Sequence, residues 1–183
     1  MKKLLALMAV TMICAAPAMA DNGWGLYGSY WKPSDGDDAF GPGLRIAIEM
    51  IPSVALELRA AYFDDVLEDD NPASLEVIPL DAMLALKGPL GDRLDLYGGV
   101  GFTYFLLDSN GDVDDSKMGF MLGAGLEYVL TENEAFYGGT AASLFLEASY
   151  RNVSVDVTAP GAAASEKVEL DGLGANAGLM IRW

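Results

Sequence analysis

The chain has 183 residues, a length that suits one domain, and carries Lys+Arg 11 against Asp+Glu 27 for a net charge of −16. Such an acidic surface excludes nucleic acid as a partner. There is no histidine, so Ser-His-Asp and Cys-His nucleophile arrangements are absent and zinc lacks its usual ligands.

At the start, Lys2 and Lys3 precede an apolar run from Leu4 to Ala16, and Ala18-Met19-Ala20 supplies the small residues that signal peptidase needs. Residues 1–20 are therefore expected to be a signal peptide and 21–183 one β-barrel domain. The run is too short and wrongly flanked for a membrane-spanning helix. Cys14 lies inside the leader after a bulky Ile13, which argues against lipidation. The remainder has no Cys and thus no disulfide, although its compartment permits one.

Beyond the leader no apolar stretch is long enough for a spanning helix, so a membrane location would require a closed barrel to satisfy the backbone. Period-two alternation, the pattern of a strand with one apolar face, recurs near 23–32, 42–51, 54–63, 75–86, 94–106, 117–130, 141–151 and 170–183. Each segment is about ten residues long, as a tilted transmembrane strand requires. In the second, Leu44, Ile46, Ile48 and Met50 oppose Arg45, Ala47 and Glu49. In the last, Leu173, Ala175, Ala177, Leu179, Ile181 and Trp183 alternate with small or polar residues. Eight strands, an even number, put both ends on one side.

Ile51-Pro52-Ser53 and Lys87-Gly88-Pro89-Leu90-Gly91-Asp92-Arg93 read as short turns, while 33–41, 64–74, 107–116 and 152–169 read as longer polar loops. Short inner turns and long outer loops are the outer-membrane pattern. Phe136-Tyr137-Gly138-Gly139 lengthens the remaining inner connection. With the first strand rising outward, Trp24, Tyr128, Phe136, Tyr137 and Trp183 are expected at the inner rim, and Tyr30, Trp31, Tyr62, Tyr104 and Tyr150 at the outer one.

The inward face collects Arg45, Glu49, Glu57, Arg59, Asp81, Asp95, Glu127, Glu147, Arg151 and Arg182. An eight-stranded barrel is just wide enough for side chains to fill, so these charges are expected to pair into a plugging lattice. Met121, Phe105 and Phe145 share that face and hint at an apolar outer lumen.

Residues 33–41, 64–73, 108–116 and 152–166, expected to face outside, hold Asp35, Asp37, Asp38, Asp64, Asp65, Glu68, Asp69, Asp70, Asp108, Asp112, Asp114, Asp115, Asp156 and Glu166 without Lys or Arg. Weak divalent-cation binding is one reading; a solvated surface is the usual one for charge runs. Asp108-Ser109-Asn110-Gly111-Asp112-Val113-Asp114 resembles a calcium loop only in part, with Val113 where Gly is needed and Gly119 where the closing Glu belongs. Adjacent acids such as Asp69-Asp70 and Asp114-Asp115 suit solvent rather than acid–base catalysis. Gly98-Gly99-Val100-Gly101 lies within a strand, where glycine relieves crowding, and no helix follows to make a phosphate loop.

Asn176-Ala177-Gly178-Leu179-Met180-Ile181-Arg182-Trp183 resembles the barrel-assembly signal of polar, any, Gly, two any, hydrophobic, any, aromatic; Asn176, Gly178, Ile181 and Trp183 fill its key places. Gly123-Ala124-Gly125-Leu126-Glu127-Tyr128 and Leu146-Glu147-Ala148-Ser149-Tyr150 look like the sixth and seventh strands of the same family. On these residues the chain resembles small outer-membrane barrels of the OmpA/OmpW type. The fold expected is all-β: an eight-stranded antiparallel up-and-down transmembrane β-barrel. The resemblance implies residence in the bacterial outer membrane, with outer-membrane lipid and the barrel-assembly machinery as partners. No cofactor is expected, and no periplasmic peptidoglycan-binding domain is expected after Trp183, so the resemblance is not taken to imply an anchoring role.

The expected function is non-enzymatic, a structural and surface-interaction role. One alternative is a narrow OmpW-like channel for small hydrophobic solutes. Another is a soluble, secreted lipocalin-like binding barrel with its apolar face inward, because alternation alone does not say which face is inside.

Overall fold

The computed structural model of the chain describes residues 22–64, 66, 75–109, 112–113, 116–133, 140–158 and 166–183. Ala18 and Ala20 of the expected cleavage site, the acids Asp65, Glu68, Asp69, Asp70, Asp114 and Asp115, and Phe136-Tyr137-Gly138-Gly139 lie outside these residues. So does part of the calcium-like loop.

Eight long strands close a barrel: β1 (Gly23–Pro33), β2 (Ala39–Ile51), β3 (Val54–Ala61), β4 (Leu75–Pro89), β5 (Leu94–Ser109), β7 (Ser116–Asn133), β8 (Thr140–Asn152) and β11 (Gly172–Arg182). Three shorter pieces, β6 (Asp112–Val113), β9 (Ser154–Thr158) and β10 (Glu166–Glu169), form a separate sheet in the order β10-β9-β6. In the barrel every strand pairs antiparallel with its neighbour in sequence, and β1 closes on β11 from Gly23↔Arg182 to Pro33↔Gly172.

The alternation decides which way each residue points. Leu26, Leu84, Val100, Phe102, Leu146 and Leu179 are exposed on the outside, while Arg45, Glu57, Arg59, Asp81, Glu127, Glu147 and Arg151 are buried inside. That polarity is the reverse of a lipocalin and removes the soluble-barrel reading. Glycines make space for the inward rings: a Cβ on Gly43 would fall 2.2 Å from the Tyr27 ring, and one on Gly125 would fall 2.6 Å from the Tyr97 hydroxyl.

Several sequence expectations need correction. β4 continues through Lys87-Gly88-Pro89, which pair with Tyr97, Leu96 and Asp95, so the turn is only Leu90–Arg93. Pro89 is tolerated because it stands at the strand's end. The 152–169 connection is largely strand, since β9 and β10 extend the β8–β11 hairpin past the barrel rim, and the 107–116 connection contributes β6 to the same sheet. β2 starts at Ala39, inside the segment read as a loop.

Trp31 does not belong to the outer aromatic belt. It shares the parity of Gly25, Tyr27 and Ser29, points inward and is fully buried. Tyr30, Tyr62, Tyr104 and Tyr150 do face outward at that end, and three of their hydroxyls find polar partners: Tyr30 donates to Asp38, Tyr104 to Ser116 and Tyr150 to Asp171. Trp24, Tyr128 and Trp183 are exposed at the opposite end.

Candidate functional site in the barrel lumen

Inward side chains from all eight barrel strands form tiers along the axis. At the loop-rich end Trp31 packs on Phe63 and Phe105, with ring centroids 5.4 and 6.0 Å away, and Leu75, Val77, Leu107, Val153 and Leu170 are buried with them. This apolar tier agrees with the inward placement expected for Phe105.

Below it Arg151, on β8, reaches Asp81, on β4, through Nη2 at 2.7 Å and Nε at 3.3 Å, and Thr103 Oγ1 donates to the same carboxylate at 2.7 Å. A paired, forked contact of this kind is the strong form of a charge-assisted hydrogen bond. In the middle tier Arg45 pairs with Glu57, and Arg59 bridges Glu57 and Glu147. Asn176 Nδ2 donates to Glu147 at 2.9 Å, and Asn176 Oδ1 accepts from the Ser29 hydroxyl at 2.6 Å. Arg45 also donates to the Tyr97 hydroxyl at 3.1 Å, and its guanidinium lies over the Tyr97 and Phe145 rings at 4.7 and 4.5 Å. That stacking suits arginine, whose planar, weakly hydrated cation tolerates aromatic faces.

At the turn-rich end Glu127 receives Arg182 in two contacts of 2.6 Å, the Ser143 hydroxyl at 2.6 Å and Lys87 Nζ at 3.1 Å. Lys87 also meets Asp95 at 3.2 Å. Here the lumen opens into a cavity of about 180 Å3 bordered by Glu49, Ser53, Lys87, Asp95 and Arg182.

Across these tiers, among the described residues, five cations (Arg45, Arg59, Lys87, Arg151 and Arg182) face five carboxylates (Glu57, Asp81, Asp95, Glu127 and Glu147). The ion-paired lattice is thus neutral, which burial requires because an unmatched charge in a low-dielectric interior is very costly.

Nine of the ten charges read from the sequence enter this lattice. Glu49 does not: it is half-buried at the turn-end cavity, and its backbone N–H donates to Asn22 Oδ1. Sequence reasoning missed Lys87, Tyr97, Ser29, Ser143 and Thr103. Parity would have found Lys87, which follows Asp81, Met83 and Ala85 at steps of two. The residues of the assembly-signal pattern split by face, with Asn176 buried inside and Ile181 and Trp183 on the outer surface. Gly178 lies against Tyr27. Of the outer acids, Asp38 is joined by Tyr30 and Lys32 at 2.7 and 3.1 Å. The Tyr30 hydroxyl first, and Lys32 second, hold its carboxyl below the usual range.

Residues 5–180 match the family model described as the outer membrane protein beta-barrel domain. The chain belongs to that family. Solved structures like it are bacterial outer-membrane proteins, and the outer membrane is where this barrel resides. The barrel is similar to the outer membrane protein OprG from Pseudomonas aeruginosa, with a TM-score of 0.71 at 16% identity over 90% of this chain and 96% of that one. Neisserial surface protein A gives 0.55 at 9% identity over 88% and 94%. AlkL, solved in DMPC lipid bilayers, gives 0.52 at 16% identity over 90% of each chain. No curated protein matches the chain. At these identities the likeness speaks for fold alone.

Proposed function

We propose that the protein is a non-enzymatic structural and surface-interaction barrel whose lumen is closed to ions. The observation that carries this reading is the neutral, mutually paired lattice beneath the aromatic tier of Trp31, Phe63 and Phe105. Permeating ions would have to break buried ion pairs, and removing one partner of such a pair costs about 3–5 kcal/mol. The acid-rich loops would make the outward-facing surface a polyanion that gathers divalent cations weakly and repels anionic neighbours. Asn176, Gly178, Ile181 and Trp183 would present β11 to the barrel-assembly machinery. Reconstitution into planar bilayers tests the closed lumen: no large, stable single-channel steps are expected, and their appearance would refute it.

A second reading, passage of small hydrophobic solutes through the wall, is favoured by one observation. An apolar groove of about 630 Å3 runs over Gly28 between Tyr30, Phe40, Pro42 and Leu146. Pro42 brings no N–H to its β2 position, so it gives Tyr62 only a carbonyl to bond, at 3.0 Å. Uptake of hydrophobic tracers that is the same with and without the gene would exclude this route.

A further inference from the structure

Besides Arg45 Nε and Arg59 Nε, four buried polar atoms have no hydrogen-bond partner among the described residues: Trp31 Nε1, Arg151 Nη1, Ser149 Oγ and Glu147 Oε2. Each sits on a side chain whose other polar atoms, where it has any, are engaged. Arg151 spends Nε and Nη2 on Asp81, and Glu147 Oε1 already accepts from Arg59 and Asn176. Their parent residues are 0 to 4% exposed. Buried polar groups in folded proteins are overwhelmingly satisfied, so a cluster of orphans points to a bound species.

Strand register gathers the four. Ser149 pairs with Gly123 on one side and with Gly174 on the other, and Gly174 in turn pairs with Trp31. Two glycines therefore flank Ser149 where side chains would otherwise fill the lumen. A Cβ on Gly174 would lie 2.7 Å from Ser149 Oγ and 3.6 Å from Arg151 Nη1. One on Gly123 would lie 3.6 Å from Glu147 Oε2.

The chemistry of the set selects its occupant. A guanidinium N–H and an indole N–H can only donate, which excludes a cation. A carboxylate oxygen can only accept, which disfavours an anion. The remaining hydroxyl can do either. The species that accepts twice and donates twice within a space made by two missing Cβ atoms is water, and buried waters typically hold about three such bonds. We propose that the barrel carries a resident water site between Gly174 and Gly123, bound by Trp31, Ser149, Arg151 and Glu147, directly beneath the aromatic tier.

The test uses the full chain folded in detergent micelles, with 15N-labelled tryptophan. Trp31→Phe assigns the Trp31 indole resonance by removing it. A cross-peak from that N–H to the water frequency is expected in rotating-frame NOE spectra, and it should survive Ser149→Ala, because three partners remain. Absence of the cross-peak overturns the proposal. So does its loss in Ser149→Ala, which would trace the signal to the exchanging hydroxyl. Should Ser149→Ala fail to fold, by heat-modifiable gel mobility, a crystal structure of the unsubstituted protein decides. Density for a water within hydrogen-bond reach of Trp31 Nε1 and Arg151 Nη1 supports the site; an empty space, or an indole turned onto a backbone carbonyl, refutes it.

Discussion

Asp81→Ala isolates the worth of the lattice. Arg151 is fully buried, and Asp81 is the carboxylate it is paired with, through two contacts at 2.7 and 3.3 Å. Truncating Asp81 leaves a guanidinium in the lumen with no counter-charge and deprives the Thr103 hydroxyl of its acceptor at 2.7 Å. Breaking a buried pair from one side costs about 3–5 kcal/mol. With a urea m-value of about 2 kcal/mol/M, within the range for proteins of this size, the unfolding midpoint should fall by roughly 2 M. The assay is urea titration of the protein in phospholipid vesicles, followed by tryptophan fluorescence and by gel mobility. Asp81→Leu combined with Arg151→Met should recover most of the loss, because it removes both charges and keeps the volume. A midpoint shift below about 0.5 M for Asp81→Ala would refute the reasoning, since that is what a solvent-exposed pair yields.

Other outcomes follow from the two faces and the rims. Val100, 61% exposed midway along β5, contacts the bilayer interior, so Val100→Arg should destabilise by about 2–4 kcal/mol in vesicles, whereas Leu173→Arg, opposite Lys32 at the outer rim, should cost about 0–1 kcal/mol. Equal urea shifts for the two would contradict the membrane placement. Gly43→Ala drives a methyl into the Tyr27 ring and should cost about 1–3 kcal/mol, with Tyr27→Leu in the same chain relieving it; additive effects in the denaturation midpoint would show the contact to be unimportant. Asp38 should titrate below an ordinary aspartate in carbonyl-detected NMR, and Tyr30→Phe should raise its midpoint. Because the folded value is the depressed one, any stability from this contact is present above the unfolded pKa and is lost as pH falls through the folded pKa. A midpoint unchanged by Tyr30→Phe would remove the hydroxyl as the cause.

Strand positions were legible because a half-buried strand has a period of two, and a barrel repeats that signal in every wall element. The face polarity was readable as well, once charges such as Arg45, Glu57 and Arg59 fell on one parity. Composition misled where it competed with parity. Lys87-Gly88-Pro89 has the residues of a turn, yet Lys87 continues the inward series and serves two carboxylates. Trp31 follows Tyr30 at a strand end, where a rim aromatic is expected, and only its odd register sends it inside. In the external segments Ser154-Val155-Asp156-Val157-Thr158 alternates openly, but the sequence has no cue that β6, from another hairpin, will pair with it. The partners within the lattice were beyond sequence reasoning, because closure of the barrel sets residues far apart along the chain across the lumen from one another, such as Arg151 on β8 and Asp81 on β4.

The seam between β1 and β11 imposes an order of events on the cell. Eleven successive pairs, Gly23↔Arg182 through Pro33↔Gly172, join the opening and closing strands, so the cylinder cannot exist while its final stretch is still on the ribosome. A polypeptide cut short by a premature stop codon would expose two raw hydrogen-bonding margins at once and offer itself to periplasmic proteases.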